Sequence, residues 1–201
     1  MKTRQIFILT ASLLLILIGT LVISCHSDSN SDVFDLQSLK NSNPATVDNS
    51  NLPITPIEEL HTTAPSPDID TQQYQLVVDG LVEQPLSLTY SEILSGPSVT
   101  KVVLLICPGV FVDNAEWTGV PASWLLREAG VNPEAKELAF YSVDGYSKTL
   151  SLEDAQMDGV FLAHHVNGEM LPLEHGYPLR LVVEGQYGYM WVKWVNRIQV
   201  L

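Results

Sequence analysis

One apolar run, Val102 to Cys107, most constrains how this chain can fold. Six apolar residues follow one another without a polar interruption, and Pro108-Gly109 ends the run at once. A continuous apolar run that stops at turn residues is typical of a buried strand, so it predicts a central strand of a sheet. The last residue of that strand is a cysteine, whose thiol would be held in a fixed direction where the loop begins.

Short strand-like segments make up most of residues 68–201. Residues 74–89 have period-two patterning and break at Asp79-Gly80, which predicts a hairpin or a bent strand pair. Further strands are predicted at residues 136–142, 147–152, 160–166, 179–185 and 191–200. Short helices, with proline or capping residues at their starts, are predicted at residues 89–95, 121–130 and 151–156. The fold class is therefore α+β and rich in strands.

The first 25 residues have the layout of an export signal. Lys2 and Arg4 precede an uninterrupted apolar run from Ile6 to Ile23. Ser24 and Cys25 then resemble a bacterial lipoprotein cleavage box, and on that resemblance Cys25 would become the lipidated N-terminus. The alternative is an uncleaved membrane helix, because about eighteen apolar residues are near the minimum for a span. In both cases we expect the rest of the chain to be exported and anchored at the outer face of the cell membrane.

Residues 26–67 differ sharply in composition from what precedes and follows them. Ser, Asn and Asp dominate residues 26–51 without sustained periodicity, which predicts a flexible tether. Prolines punctuate residues 52–67, which we expect to form an extended arm on the domain rather than a helix. Residues 68–201 would then be the folded domain.

The charge balance excludes nucleic acid as an expected partner. The formal net charge is −13 at pH 7, and the whole chain has only 10 Lys and Arg residues. A duplex-binding protein needs clustered cations to displace counterions from the phosphates.

Two features could carry chemistry. Cys107 would have no disulfide partner once Cys25 is lipidated, and a thiolate suits a soft metal, although a lone buried cysteine is more often a plain hydrophobic residue. The sign of the charge also reverses locally around a glycine loop near the C-terminus, at His175, Arg180, Lys193, Arg197, Gly185 and Gly188. These cations would suit a phosphate or a similar anion, or they would simply pair with neighbouring acids on solvated faces.

Several ordered segments resemble the molybdopterin-binding domain of the sulfite oxidase family. They are residues 117–131, about ten residues after the isolated cysteine, residues 144–155 and residues 167–194. The resemblance spans Thr55 to Leu201 and implies a strand-rich, mixed-sheet fold with few short helices. It also implies a molybdenum–molybdopterin cofactor and two-electron oxygen-atom transfer, in which the difficult chemistry belongs to the cofactor.

The resemblance implies specific site residues as well. Cys107 matches the cysteine that binds molybdenum through sulfur, and it would be the catalytic metal ligand. The other matches are an acidic residue near the pterin, the His and Arg of an HG-aromatic-P-x-R pattern, and a segment beside the pterin phosphate: Asp144, His175, Arg180, Trp191, Val192 and Lys193.

The substrate side departs from the sulfite-oxidising members of that family. They carry Arg, Asn and His before the proline-rich arm, where this chain has His61, Thr62 and Thr63. An anion-binding guanidinium is therefore missing, and we expect an unknown small-molecule substrate rather than sulfite. The sequence contains no haem or iron–sulfur motif, so we expect a separate electron carrier. The chain would be a small member of the family without the dimerisation domain.

Three functions stay open at this point. The first is a membrane-tethered molybdenum oxidoreductase, and the second is a cofactor-free binding or scaffold lipoprotein on the same fold. The third is a metallohydrolase that uses His164, His165 and His175, which we disfavour because neighbouring side chains of a strand point to opposite faces. Asp113 and Glu116 could accept protons near the cysteine, but we expect both to be solvated loop acids.

Overall fold

The structure is a computed structural model that describes residues 34–201. The expectations for the export signal, for the lipidated Cys25 and for the tether up to residue 33 therefore lie outside the described residues. Among residues 34–201, no helix has the length and apolar character needed to cross a membrane.

Two sheets form the framework of the described part. Their strands are β1 (Gln75–Gly80), β2 (Leu86–Thr89), β3 (Val99–Cys107), β4 (Phe111–Pro121), β5 (Glu137–Ser142), β6 (Ser147–Ser151), β7 (Val160–Val166), β8 (Glu169–Met170), β9 (Arg180–Val183) and β10 (Val195–Val200). In the first sheet, ordered β2-β1-β10-β5-β6, β1 and β10 are parallel and the other pairs are antiparallel. The second sheet is antiparallel, ordered β3-β4-β7-β8, and β9 also pairs with β7. The predicted mixed, strand-rich architecture is confirmed.

Short helices connect the strands at the predicted places. The α-helices are α1 (Tyr90–Leu94), α2 (Ala122–Ala129) and α3 (Leu152–Ala155), and the 3-10 helices are Leu36–Leu39, Pro44–Thr46, Ile57–Glu59, Leu173–His175 and Gly188–Met190. Thr89 begins α1 because its hydroxyl and the Glu92 side chain cap each other's backbone N–H groups. Gly130 ends α2 because its φ of 67° is left-handed, which glycine adopts without steric cost. Helix α2 buries Leu125 and Leu126 in the main core.

Strand β3 is not the central strand that its apolar run predicts. It pairs only with β4 and lies at the edge of its sheet. Both of its faces are nevertheless buried. Val103 and Leu105 belong to the main core, whereas Leu104 and Ile106 pack against apolar residues that precede the sheets, including Leu36 and Leu52. The continuous apolar pattern thus reflects cover by residues 34–67, which we call the N-terminal segment.

Side chains and backbone of consecutive β4 residues hold the N-terminal segment. At Val112, the backbone N–H donates to Gln37 Oε1 over 2.9 Å and the carbonyl accepts from Gln37 Nε2 over 2.8 Å. The buried Asn114 amide donates to the Leu52 carbonyl over 3.2 Å and accepts from Asn49 Nδ2 over 3.1 Å. Between these two contacts, Asp113 of the same strand binds a further part of the segment.

The N-terminal segment therefore belongs to the folded unit, which runs from Phe34 to Leu201. The flexible tether predicted for residues 26–51 is wrong for residues 34–51. Because the arm predicted for residues 52–67 also contacts β4, the folded unit begins at Phe34 rather than at residue 68. Composition misled the prediction because the Asn49 and Gln37 side chains, of the kind that usually marks a solvated segment, here satisfy backbone groups of β3 and β4.

A β-bulge in β7 brings His164 and His165 together. Thr118 lies opposite His165 and Gly119 lies opposite Ala163, so His164 is the extra residue. The two rings meet edge to face with centroids 4.7 Å apart, and their Nδ1 atoms are 2.5 Å apart. The expectation that the rings point to opposite faces is wrong because the bulge interrupts the alternation. No group of three metal-ligating side chains converges in residues 34–201.

Candidate active site

Two cavities meet at Cys107, the last residue of β3. The larger has a volume of about 340 Å³ and the smaller a volume of about 60 Å³. Five residues line both cavities: Thr63, Cys107, Gly188, Trp191 and Lys193. The smaller cavity also reaches Arg180. The thiol and the two cations that the sequence singled out therefore share one concave wall.

The Cys107 thiol is half-buried and has no disulfide partner among residues 34–201. Burial, helped by the negative charge of Asp113, raises its pKa. The thiolate is therefore disfavoured unless a positive partner arrives, and a bound metal ion is such a partner because it deprotonates a coordinating thiol. A single soft ligand at the junction of two cavities suits a metal whose other ligands come from a cofactor.

Arg180 is a buried cation with unused hydrogen-bonding capacity. Its guanidinium packs against two indole rings that also touch each other edge to face, 5.2 Å from the centroid of Trp117 and 5.4 Å from that of Trp191. One terminal nitrogen donates to the His175 carbonyl over 2.9 Å, but the buried Nε has no hydrogen-bond partner among the described residues. Burial lowers the pKa of Arg180 to about 10, and Asp113 opposes that shift. An anion beside the guanidinium would satisfy the free donor and offset the desolvation.

Lys193 supplies a second cation to the same cavity. Its Nζ lies 4.1 Å from the centroid of the Trp194 ring and donates to Thr62 Oγ1 and to the Glu174 carbonyl, over 3.0 Å each. Burial first, and then repulsion by Arg180, lowers the pKa of Lys193 to about 8. Because the charge of Arg180 disfavours the charged form of Lys193, a phosphate bound beside the two cations would stabilise the site.

The predicted site residues do not all reach the cavities. Asp144 lines the larger cavity, and Trp191 lines both. The His175 ring is only 4% exposed and lines neither cavity, and burial together with Arg180 lowers its pKa to about 4. Val192 is fully buried behind the same wall. His175 thus contributes its backbone carbonyl to Arg180, and Val192 contributes packing.

Two tyrosines at the rim of the larger cavity escaped the sequence analysis. Tyr146 is 41% exposed and Tyr189 is 53% exposed, and the Tyr146 hydroxyl donates to the Tyr189 carbonyl over 2.6 Å. Lys148 Nζ lies 5.3 Å and 5.7 Å from the centroids of these two rings. Tyr146 follows Asp144 by two residues in the turn between β5 and β6, and that proximity was the available signal.

The residues present fit a metal cofactor that carries an anionic arm. Cys107 offers sulfur to the metal, and Arg180 and Lys193 offer donors to the anion. At Gly188, a Cβ would lie 3.0 Å from the Leu105 side chain, so any larger residue there would press into the wall that both cavities share. Of the two glycines that the sequence singled out, Gly188 is therefore part of the site, whereas Gly185 lies beside Ala45 and lines neither cavity.

Comparison with known proteins gives the following matches. The family model described as "Oxidoreductase molybdopterin binding domain" matches residues 61–201. A "Protein-methionine-sulfoxide reductase catalytic subunit MsrP" from Gluconobacter oxydans is 30% identical over 146 residues, covering 64% of this chain and 47% of that protein. A "Nitrate reductase [NADPH]" from Beauveria bassiana is 31% identical over 161 residues, covering 67% of this chain and 18% of that protein.

A solved structure also matches this chain. The sulfane dehydrogenase SoxCD from Paracoccus pantotrophus superposes with a TM-score of 0.63 and 37% sequence identity, covering 67% of this chain and 40% of that chain. The present chain spans less than two thirds of the length of each of these three relatives.

Proposed function

This chain belongs to the oxidoreductase molybdopterin-binding domain family, and we propose that it is a molybdenum-dependent oxidoreductase that removes an oxygen atom from a small sulfoxide. The predicted family, its mixed-sheet fold and molybdenum–molybdopterin as its cofactor are confirmed. The observation that carries the proposed activity is the shared wall that joins the Cys107 thiol to Arg180 and Lys193.

Each residue of that wall would have a defined role. Cys107 would bind the metal, Arg180 and Lys193 would bind the phosphate of the pterin, and Trp191 and Asp144 would border the cofactor. When bound, the cofactor supplies two-electron oxygen-atom transfer. Reduction of a sulfoxide consumes two electrons and two protons and yields a sulfide and water. The protein would position the substrate at the metal and exclude bulk water.

A sulfoxide is supported by two observations. One relative is named as a protein-methionine-sulfoxide reductase. In addition, His61 and Thr62, rather than an arginine, border the smaller cavity on the side of the N-terminal segment. A neutral sulfoxide needs no second guanidinium, whereas sulfite does. The alternative of a cofactor-free scaffold would leave the buried Arg180 Nε permanently without a partner.

Electrons would come from a separate carrier, because sulfoxide reduction needs a donor that this chain does not encode in a recognisable motif. We further propose export and anchoring at the outer face of the cell membrane through Cys25, which rests on residues 1–25 of the sequence alone.

Metal and pterin content of the protein purified from its own host tests the proposal. We expect the wild type to contain both, and Cys107→Ser to lose molybdenum at least about tenfold, because a metal ligand matters no less than its outer-shell partners. Lys193→Met should weaken cofactor retention by about tenfold to a hundredfold, since it removes a charged hydrogen bond.

Lys101→Met is the matched control for the loss of a positive charge in Lys193→Met. Lys101 forms an ion pair with Glu184 over 2.6 Å and lines neither cavity, so its loss should leave the cofactor content unchanged. Wild-type protein from its own host that contains neither molybdenum nor pterin would refute the proposed function.

A further inference from the structure

Asp113 of β4 is a buried carboxylate with one partner. It is only 1% exposed, and both of its oxygens bind the same residue: Oδ2 accepts from the His61 backbone N–H over 2.9 Å, and Oδ1 lies 2.8 Å from His61 Nδ1. The His61 ring also stacks on Phe111, with centroids 4.8 Å apart and an interplanar angle of 9°. The expectation of a solvated loop acid is therefore wrong, because Asp113 fixes the backbone and the side chain of His61 together.

The residues around His61 form part of the site. We call residues 60–64 the site arm. His61 and Thr62 line the smaller cavity, Ala64 lines the larger cavity, and Thr63 lines both. A shift of this short stretch would therefore change the dimensions of both cavities where they meet the thiol.

The attachments of the site arm are unequal. Leu60 is buried at its start. Thr62 accepts one hydrogen bond from the partly exposed Lys193 over 3.0 Å and donates a longer one to the Glu174 carbonyl over 3.3 Å. The Asp113 carboxylate makes two short contacts in a buried setting, where such interactions are strongest. After His61 the side chains of the arm are exposed or half-buried. Asp113 is thus the main attachment of the arm next to the cavities.

From this geometry we propose that Asp113 is a positioning residue for the site arm, and that the arm in turn sets the size of the substrate that reaches Cys107. The inference rests on the proposed function for the chemical class of that substrate. On this inference the site arm limits the size of the substrate, whereas the metal determines the reaction that the substrate undergoes.

Two variants of Asp113 separate position from charge. Asp113→Ala removes both contacts with His61. Asp113→Asn removes the negative charge but keeps the volume and the ability to hydrogen-bond both His61 groups, because an amide offers one acceptor and one donor group. Gln37→Ala is the matched control, since it also removes two hydrogen bonds between the N-terminal segment and β4, at the neighbouring Val112.

The first readout is a comparison of two neutral substrates. With the cofactor-loaded full chain and reduced methyl viologen as donor, we would measure kcat and KM for dimethyl sulfoxide and for methyl p-tolyl sulfoxide. Asp113→Ala should raise the preference for the bulky sulfoxide about tenfold, mainly through a lower KM, since steric exclusion of this kind is worth about that factor. Asp113→Asn and Gln37→Ala should change the preference less than about threefold.

The second readout does not need activity. In cofactor-free protein, alkylation of Cys107 followed by peptide mass spectrometry should be about tenfold faster in Asp113→Ala for a bulky N-aryl maleimide, and nearly unchanged for iodoacetamide. Asp113→Asn again controls for the effect of the carboxylate charge on the thiol. Ala64→Leu, which narrows the larger cavity without touching Asp113, should slow the maleimide reaction and lower the preference for the bulky sulfoxide.

The outcomes separate the two proposals. If the wild type reduces neither sulfoxide, the proposed function fails, and the alkylation rates alone decide on the site arm. If Asp113→Ala lowers activity toward both sulfoxides in parallel, or alters the two alkylation rates equally, the arm is not the size-determining wall. If Asp113→Asn reproduces the change in preference seen with Asp113→Ala, the charge and not the position of the arm is responsible, and the inference is overturned. Should Asp113→Ala not fold, an unchanged preference and unchanged alkylation in Ala64→Leu would overturn it.

Discussion

Replacement of Asn114 by alanine tests whether the N-terminal segment is part of the folded unit. Asn114 is fully buried, and its side chain joins Leu52 and Asn49 to β4. The variant loses three hydrogen bonds, the longest being the 3.4 Å bond to the Pro53 carbonyl, and leaves the Leu52 carbonyl without its donor. At about 1 kcal/mol for each of the two shorter bonds and about 1–2 kcal/mol for the abandoned group, the free energy of unfolding should fall by about 3–4 kcal/mol. For a unit of this size, Tm should fall by roughly 5–15 °C.

Thermal unfolding measures the fall in Tm, and amide hydrogen exchange measures the loosening of the N-terminal segment. Exchange should accelerate selectively in residues 34–59, because these residues lose an attachment while the sheets keep theirs. Asn51→Ala is the matched control. Asn51 is exposed and, among the described residues, its side chain hydrogen-bonds only to the neighbouring Ser50, so stability should change by less than about 0.5 kcal/mol. A change in Tm of the same size in both variants, or uniform exchange across the sheets, would refute the reasoning.

Two further predictions concern β4 and β7. Gly119→Ala should lower stability by about 3 kcal/mol or more in chemical unfolding, because the new Cβ would lie 2.1 Å from the Leu162 carbonyl oxygen. A Cβ at Gly145 would meet open space, so only the φ of 90° opposes Gly145→Ala, which should lower stability by about 1 kcal/mol. Equal losses of stability in the Gly119 and Gly145 variants would contradict the steric argument. Burial, then repulsion by His165, lowers the pKa of His164 to about 4. Because this folded-state pKa lies below the unfolded value of 6.5, stability should be lost as pH falls from 6.5 towards 4, by at most about 3 kcal/mol. Urea unfolding of His164→Gln at pH 7 and at pH 4.5 should show a smaller pH dependence than the wild type, and an identical one would contradict the assignment.

Local patterns predicted most of the secondary structure. The hairpin of β1 and β2 and helix α2 follow from alternation and from end signals that act within a few residues. The position of β3 could not be predicted in this way. Its second face is covered by residues such as Leu36 and Leu52, and the contact between Gln37 and Val112 joins positions 75 apart. A polar composition describes what a segment can bind, but it does not say whether water or a remote backbone group is the partner.

The candidate site was predictable in its chemistry and less so in its geometry. Cys107, Arg180 and Lys193, which the family resemblance singled out, line one cavity, and their roles toward a cofactor stay a prediction. The HG-aromatic-P-x-R pattern could not show that the His175 ring faces the core. A ring that faces the core and a ring that faces the cavity are both compatible with the same residue spacing. Asp113 was misjudged because its partner His61 lies 52 positions away and no local pattern links them.

The contact of Arg180 with the paired rings of Trp117 and Trp191 gives the protein a built-in optical reporter. The sequence has four tryptophans, and two pack against this guanidinium while a third, Trp194, lies under Lys193. Indole emission responds to charge close to the ring, so an anion that arrives between these cations should alter most of the intrinsic fluorescence at once. Loading of the site could then be followed in real time without a label, even in variants that have lost turnover.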